Sequence, residues 1–389
     1  MKTEEVLSPK QQREFLLLPV TLYKNTPQWI RPLDSDIESV FDPTKNRAFR
    51  HGQCIRWLLR NDDGKAIGRV AAFVNDKTTD RATEQPTGGM GFFECIENQE
   101  AAFMLFDACK HWLQSKGMEA MDGPINFGER NKWWGLLIEG FDREPNYQCD
   151  YHHAYYKTFF EAYGFQIYFN QITFGRERKW PVTEKLLRKA EICKRDKDYT
   201  FSYLPKKEWG KLPELIRTVY NKAWANRLEI PELSEANTKH LVKQLRPILN
   251  EKLLWFGYYK GEPVAFFLAV PEVNQVFRYV NGKMDWIGKL KFVWYNHWLK
   301  NRKALGLLFG VVPEHQGKGV DGALLESSRH TYQSRAVKYD SIEINWIGDF
   351  NQKMMRIAEQ INTVILKKHA TYRLLFDPTK PFKRMPYMK

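Results

Sequence analysis

GLLFGVVPEHQGKGVDGALL, residues 306–325, is the stretch on which the fold turns. An apolar strand runs into a loop with glycines at 317 and 319 and then into a helix. Successive backbone N–H groups and a helix N-terminus therefore converge where an anion would sit. A Walker A loop requires GxxxxGK[ST]; here Gly317-Lys318 is followed by Gly319, and Val312 occupies the first-glycine position. Gly317, Gly319 and Gly322 satisfy GxGxxG, yet the acidic residue of the following strand, Glu343, lies inside SIEINWI rather than closing it.

Outward from this loop, the downstream chain reads as a strand (YDSIEINWI, 339–347), a helix (NQKMMRIAEQ, 351–360) and a last strand (TYRLLF, 371–376). Upstream lies the hairpin LLWFGYYKGEPVAFFLAVP (253–271), turning at Lys260-Gly261-Glu262 and preceded by two helical segments. The first half repeats the order. IRWLLRNDDGKAIGRVAAFVND (55–76) is a hairpin turning at Asn61-Asp62-Asp63-Gly64, and MGFFECIE (90–97) is a strand. NQEAAFMLFDACKHWLQSKGM (98–118) is a helix capped by Asn98 and closed by Gly117. AMDGPINF is the next strand, and AYYKTFFEAYGFQIYFNQITF is a short helix ending at Gly164 followed by a strand. Hairpin, strand, helix, strand, helix, strand thus occurs twice. The predicted fold class is α/β with mixed α+β sheets: two tandem domains, each a twisted, mostly antiparallel sheet flanked by helices. The expected boundaries are 1–180 and 199–389, with the charged run TEKLLRKAEICKRDKD inside a linker helix over 181–198.

The chain has 389 residues, 43% of them hydrophobic, which excludes a single small module and a disordered chain. Its 60 Lys and Arg against 46 Asp and Glu give +14 and favour an anionic partner. No nucleic-acid motif accompanies that charge. Cys54, Cys95, Cys109, Cys149 and Cys193 are odd in number and scattered, which predicts free thiols in a reduced, cytoplasmic setting. MKTEEVLSPKQQREF has no apolar run after its charges, and no segment reaches the roughly 18 apolar residues of a bilayer span. His152 and His153 are adjacent and point apart, so no metal site is expected.

The loop Gln316-Gly317-Lys318-Gly319-Val320-Asp321, preceded by Val-Pro-Glu, resembles the [RQ]xxGx[GA] signature of the GNAT superfamily of acyl-CoA-dependent N-acyltransferases. The resemblance extends to the motif beginning at Asn351 and, in the first half, to YYKTFFEAYGF, which is similar to that motif's end. It covers nearly the whole chain and points to bacterial proteins with two such domains in tandem. It implies that the amides of Gln316 to Asp321 hold the pyrophosphate of an acyl-CoA co-substrate, acetyl-CoA in the first place. It likewise implies that Val311 and Val312 bond the pantetheine arm and that the acceptor is a small-molecule or peptide amine.

The departures are as specific. Asp321 stands where the family has Gly or Ala. Two unit charges about 4 Å apart repel by about 4 kcal/mol at an effective dielectric of about 20; the other reading is that Asp321 caps its helix. The family's thiolate-protonating Tyr falls on Ala358 in the second half and Phe160 in the first, and the first half has no phosphate loop. Acyl-CoA is therefore assigned to the second half, with the first as scaffold or as one wall of an acceptor cleft. Glu343 is the candidate base, and Tyr372 or Tyr258 a replacement acid. A catalytically silent GNAT-like module binding CoA or another anion is the second reading.

Three further features are open at this level. His315 flanks the loop, as a phosphate contact or a solvent-facing residue. GPINFGERNKWWG (123–135) reads as a ligand loop or as interdomain packing. MDWIGKLKFVWYNHWLKNRK (284–303) sets Lys289, Lys291, Lys300, Arg302 and Lys303 among aromatics: a lid over an anionic substrate, a membrane-surface element, or a connecting helix with solvated lysines.

Overall fold

Both turn signals mature into hairpins. Gly64 adopts φ 75°, and Lys260 and Gly261 adopt φ 50° and 85°, the left-handed dihedrals that such short turns need. The computed structural model describes residues 1–77, 85–224, 232–298, 302–334 and 336–388. The first half contains β1 (Lys2–Glu5), α1 (Pro9–Leu22), α2 (Asp34–Val40), β2 (Gly52–Arg60), β3 (Ala66–Asn75) and β4 (Thr87–Cys95). It continues with α3 (Gln99–Ser115), β5 (Ala120–Gly123), β6 (Leu136–Glu139), α4 (Tyr155–Tyr163) and β7 (Gln166–Glu177). Next come α5 (Glu184–Arg195), β8 (Tyr199–Tyr203), α6 (Leu212–Trp224), α7 (Glu235–Leu245), β9 (Leu254–Tyr259), β10 (Glu262–Pro271), α8 (Asn274–Val280) and α9 (Trp286–Trp298). The chain ends with β11 (Lys303–Val311), α10 (Val320–Gln333), β12 (Ser341–Gly348), α11 (Gln352–Gln360) and β13 (Val364–Leu375).

Among the described residues, thirteen strands form one sheet in the order β1-β2-β3-β4-β5-β13-β7-β12-β11-β10-β9-β8, with β6 also on β13. The two halves share this sheet and cross over within it. β13, from the end of the chain, lies between β5 and β7, while β7 pairs on its other side with β12. β4–β5 and β11–β12 are parallel, and the rest of the path is antiparallel. The parallel pairs are short: β11 and β12 run together from Lys303↔Ser341 to Gly306↔Ile344 and then part.

Helix α3 forms as its sequence signals require. Asn98 Oδ1 accepts the Ala101 N–H at 2.8 Å, and Gly117 takes φ 77°. Its buried face packs with Phe93, Phe160 and Tyr372 into the first-half core. Helix α5 forms within the charged run TEKLLRKAEICKRDKD. Its apolar stripe, Leu186, Ala190 and Cys193, is buried, and Ala190 and Cys193 pack on Val320, Ala323 and Leu324 of α10. All five cysteines are free thiols.

Candidate functional site

The loop between β11 and α10 has the shape its glycines predict. Gly317 and Gly319 take φ 76° and 80°, and Gly319 is the N-cap of α10. Gln316, Gly317 and Lys318 are exposed, whereas Gly319 and Val320 are buried. A side-chain carbon on Gly317 would meet nothing within 4 Å; one on Gly319 would lie 2.3 Å from the Lys189 carbonyl oxygen of α5. Asp321 makes no side-chain cap and instead accepts a 2.8 Å bond from Lys189 Nζ. Val311 and Val312 are buried. The Val311 carbonyl accepts from Gln316 Nε2 at 2.9 Å, and the Val312 N–H donates to the Val264 carbonyl. Leu186 of α5 clusters with Leu325 and Ile361, against Phe309 of β11 and Ile344 of β12, over the place where these strands part. Asn351 caps α11, accepting the Met354 N–H at 3.3 Å. His315 Nδ1 and the Tyr199 hydroxyl are 2.7 Å apart.

The three candidate acid–base residues are not brought together. Glu343 sits opposite Gly175 of β7 and Tyr372 opposite Ile167, about 26 Å along the same strand at about 3.3 Å per residue. Tyr258 lies on β9, three strands from β12 in the sheet order. Tyr372 is buried in the first-half core and donates to Glu161 Oε1 at 3.2 Å. Buried Glu343 accepts from Lys367 Nζ at 2.7 Å and pairs with Lys303 Nζ at 2.6 Å. Burial raises its carboxyl, but the two ammoniums outweigh burial and hold it down at about 2. Ala358 and Phe160 are both fully buried packing residues.

A second constellation gathers in the first half. Glu94, at the end of β4, is buried and accepts from the Tyr23 hydroxyl at 2.7 Å and the Tyr156 hydroxyl at 2.9 Å. Arg69 of β3 stands 3.8 Å away and donates to the Phe15 carbonyl at 2.6 Å. Burial pushes the Glu94 carboxyl up to about 7, against the pull of Arg69 and the two hydroxyls. Burial, with Glu94 adding to it, also raises Asp150 well above the carboxylate range. Buried His152 is held neutral, and its Nδ1 accepts the Leu137 N–H at 3.1 Å.

Arg69, Glu94, Asp150 and His152 line one cavity of about 40 Å³, together with Phe92, Phe93, Trp133 and Cys149. Residues 26–33, between α1 and α2, cover it; Trp29, Ile30, Arg31 and Pro32 all face the space. This strap is fastened from both halves. Asp34 binds Arg31 at 2.7 Å and Arg13 at 2.6 Å, and its N–H donates to the Gly282 carbonyl after α8. A smaller cavity of about 10 Å³ shares Ile30, Pro32, Trp133 and Cys149 and reaches Asn274 of α8. Cys149 donates to Asn345 Oδ1 of β12 at 3.5 Å, and burial pushes its thiol up to about 12, so it is no nucleophile at neutral pH. From GPINFGERNKWWG, Trp133, at φ 44°, contributes an indole to both cavities. Glu94 and Arg69 have a sequence signal of their own: each is a lone charge inside an apolar strand, MGFFEC and AIGRVAAFV.

No family model matches the chain. Over 376 residues it is 26% identical to the bacterial ceramide synthase of Caulobacter vibrioides (strain NA1000 / CB15N), covering 94% of this chain and 95% of that relative. Among solved structures it resembles a tandem GNAT protein from the clavulanic acid biosynthesis pathway at TM-score 0.52 and 10% identity, over 97% of this chain and 100% of that one. It also resembles the GCN5-related glucosamine N-acetyltransferase region of a fungal multi-domain GH3 β-N-acetylglucosaminidase, with TM-score 0.53 and 12% identity. That match covers 96% of this chain and 38% of the fungal one. In fold, then, the chain resembles tandem GNAT proteins.

Proposed function

We propose that this chain is an acyl-CoA-dependent N-acyltransferase whose reacting centre is the cavity beneath the strap, with Glu94 as the group that takes the amine proton. The observation that carries the reading is Glu94 itself: a buried carboxyl poised at about 7, lining a cavity and oriented by two tyrosine hydroxyls. A base titrating near neutral pH is half ionised there and strong enough to accept a proton as an amine attacks a carbonyl. Glu343, held at about 2 between two ammoniums, suits a fixed counter-ion better than a base.

In this reading the amine nitrogen bonds to the thioester carbonyl carbon, its proton passes to Glu94, and the C–S electron pair leaves with CoA. The relative named a ceramide synthase guides the choice of acceptor. Ceramide is the amide of a fatty acid with a long-chain amino alcohol, so a long-chain amino alcohol is the acceptor proposed here, with a fatty acyl group as donor. A cavity of about 40 Å³ holds neither chain, and the strap must lift for turnover.

The exposed amides of Gln316, Gly317 and Lys318 are proposed for the pyrophosphate. Val311 and Val312 fit a pantetheine arm less well, since their backbone groups already bond Gln316 and Val264 and Leu186 overlies the parting strands. That arrangement favours the second reading, an anion-binding GNAT-like module without turnover. One assay separates the two: protein, acyl-CoAs from acetyl to palmitoyl and sphinganine, with free thiol and amide product both measured. Binding of acyl-CoA without thiol release would favour the silent module.

A further inference from the structure

Helix α9 is almost entirely outside the protein. It begins where Asp285 accepts the Gly288 N–H at 2.8 Å, and Gly288 is its one buried residue. It rests on α8 through Phe292 against Phe277 and Tyr295 stacked on Tyr279, with ring centroids 5.4 and 4.3 Å apart. The opposite side carries Trp286, Ile287, Leu290, Val293, Trp294 and Trp298, exposed by 47% to 71%. At about 100° per residue these six span an arc of about 140°, which exposed His297 shares, bordered by Lys289 on one side and Lys291 on the other. Both lysines are exposed, as is Lys283 just before the helix. No Asp or Glu lies within Trp286–Trp298.

An apolar face this wide is costly in water and marks an interaction surface. Three tryptophans beside leucine, isoleucine and valine, with lysines at both borders, match the chemistry of the boundary between lipid head groups and acyl chains. The charge argues for the occupant. Anionic head groups complement the bordering lysines, whereas a second copy packed isologously on α9 would set like lysines near one another. We propose that α9 docks this protein on an anionic phospholipid bilayer, lying in the plane of the interface with its tryptophan face inserted.

The docking helix is also tied to the cavity cover. Arg278 of α8 donates to the Pro27 carbonyl of the strap at 3.3 Å, and the turn after α8 holds Asp34 through the Gly282 carbonyl. A docked α9 therefore sets the strap beside the lipid surface. The docking proposal stands whether or not the chain is an acyltransferase.

Co-sedimentation of the full chain with vesicles of phosphatidylcholine, alone or mixed with phosphatidylglycerol, tests it. The wild type is expected to pellet with the mixed vesicles and far less with phosphatidylcholine alone. Leu290→Asp/Trp294→Asp is expected to lower the bound fraction about tenfold with an unchanged circular dichroism spectrum, because both side chains are exposed. Lys289→Glu/Lys291→Glu, which keeps the apolar face, should abolish the preference for phosphatidylglycerol. Wild-type protein left in the supernatant with mixed vesicles overturns the proposal. So does a solution dimer that Leu290→Asp/Trp294→Asp converts to monomer, which would assign the face to a second copy.

Discussion

The Tyr23 hydroxyl, at the C-terminal end of α1, donates a 2.7 Å hydrogen bond to Glu94 Oε2 at the end of β4. One bond thus joins the helix that leads into the strap to the carboxyl at the floor of the cavity. Because the bond favours the charged carboxylate, it pulls the Glu94 carboxyl down against the stronger effect of burial.

Tyr23→Phe should therefore move the acid limb of the pH–rate profile upward from about 7. The Tyr156 bond remains, so the loss of stability is expected to be about 1–2 kcal/mol. Measuring kcat/KM against pH for both proteins checks the direction. A midpoint that stays in place would separate Glu94 from the rate-determining ionisation.

Glu343 should behave as structure. Its carboxyl is held at about 2 against an ordinary 4.5, so folding gains stability from it above pH 4.5 and loses that gain as pH falls toward 2. The shift corresponds to about 3 kcal/mol. Glu343→Gln leaves the buried Lys367 ammonium with a carbonyl and an amide oxygen but no carboxylate. The variant is expected to lose about 3 kcal/mol at pH 7 and to show a flatter decline below pH 4.5 in urea titrations. Raised Glu94 has the opposite sign: its burial costs stability progressively as pH rises from 4.5 to about 7.

Gly317→Ala and Gly319→Ala separate backbone strain from contact. Both positions have positive φ, worth about 1–2 kcal/mol against a residue with a side chain. At Gly319 the added carbon also strikes the Lys189 carbonyl at 2.3 Å and must displace α5. Thermal unfolding should show a substantially larger loss for Gly319→Ala than for Gly317→Ala. Equal losses would mean that α5 does not press on the start of α10.

Asp34→Ala should loosen the strap by removing the partner of Arg13 and Arg31. Hydrogen exchange of residues 26–34 should quicken while β3 and β4 keep their protection. The global cost should be about 1–3 kcal/mol.

What the sequence revealed and what it hid follow from the range of the interactions. Asp63-Gly64, Lys260-Gly261, Asn98 and Gly317/Gly319 act on their neighbours, so hairpins, helix caps and the β11–α10 loop were all legible. The insertion of β13 between β5 and β7 has no local signature, since it depends on pairing segments such as Tyr372 with Ile167 across the chain. The cavity likewise unites Leu16, Arg69 and Glu94 from three separate elements with Asp150 from the loop between β6 and α4. Periodicity placed Glu343 on a strand but could not see Lys303 and Lys367 on either side of it. The lone charges in MGFFEC and AIGRVAAFV were the readable trace of the cavity: a glutamate and an arginine in strands that are otherwise buried must find each other or a ligand.

The most direct test is CoA release by wild-type protein and by Glu94→Gln, with palmitoyl-CoA and sphinganine, followed by thiol titration and mass spectrometry of the amide. The wild type is expected to yield an N-acyl product at a rate that rises with pH through about 7, and a folded Glu94→Gln variant to lose at least about 100-fold. Glu94→Gln turning over at the wild-type rate would remove Glu94 from the proton transfer, and a wild type that releases no CoA to this or any other amine would rule out acyl transfer.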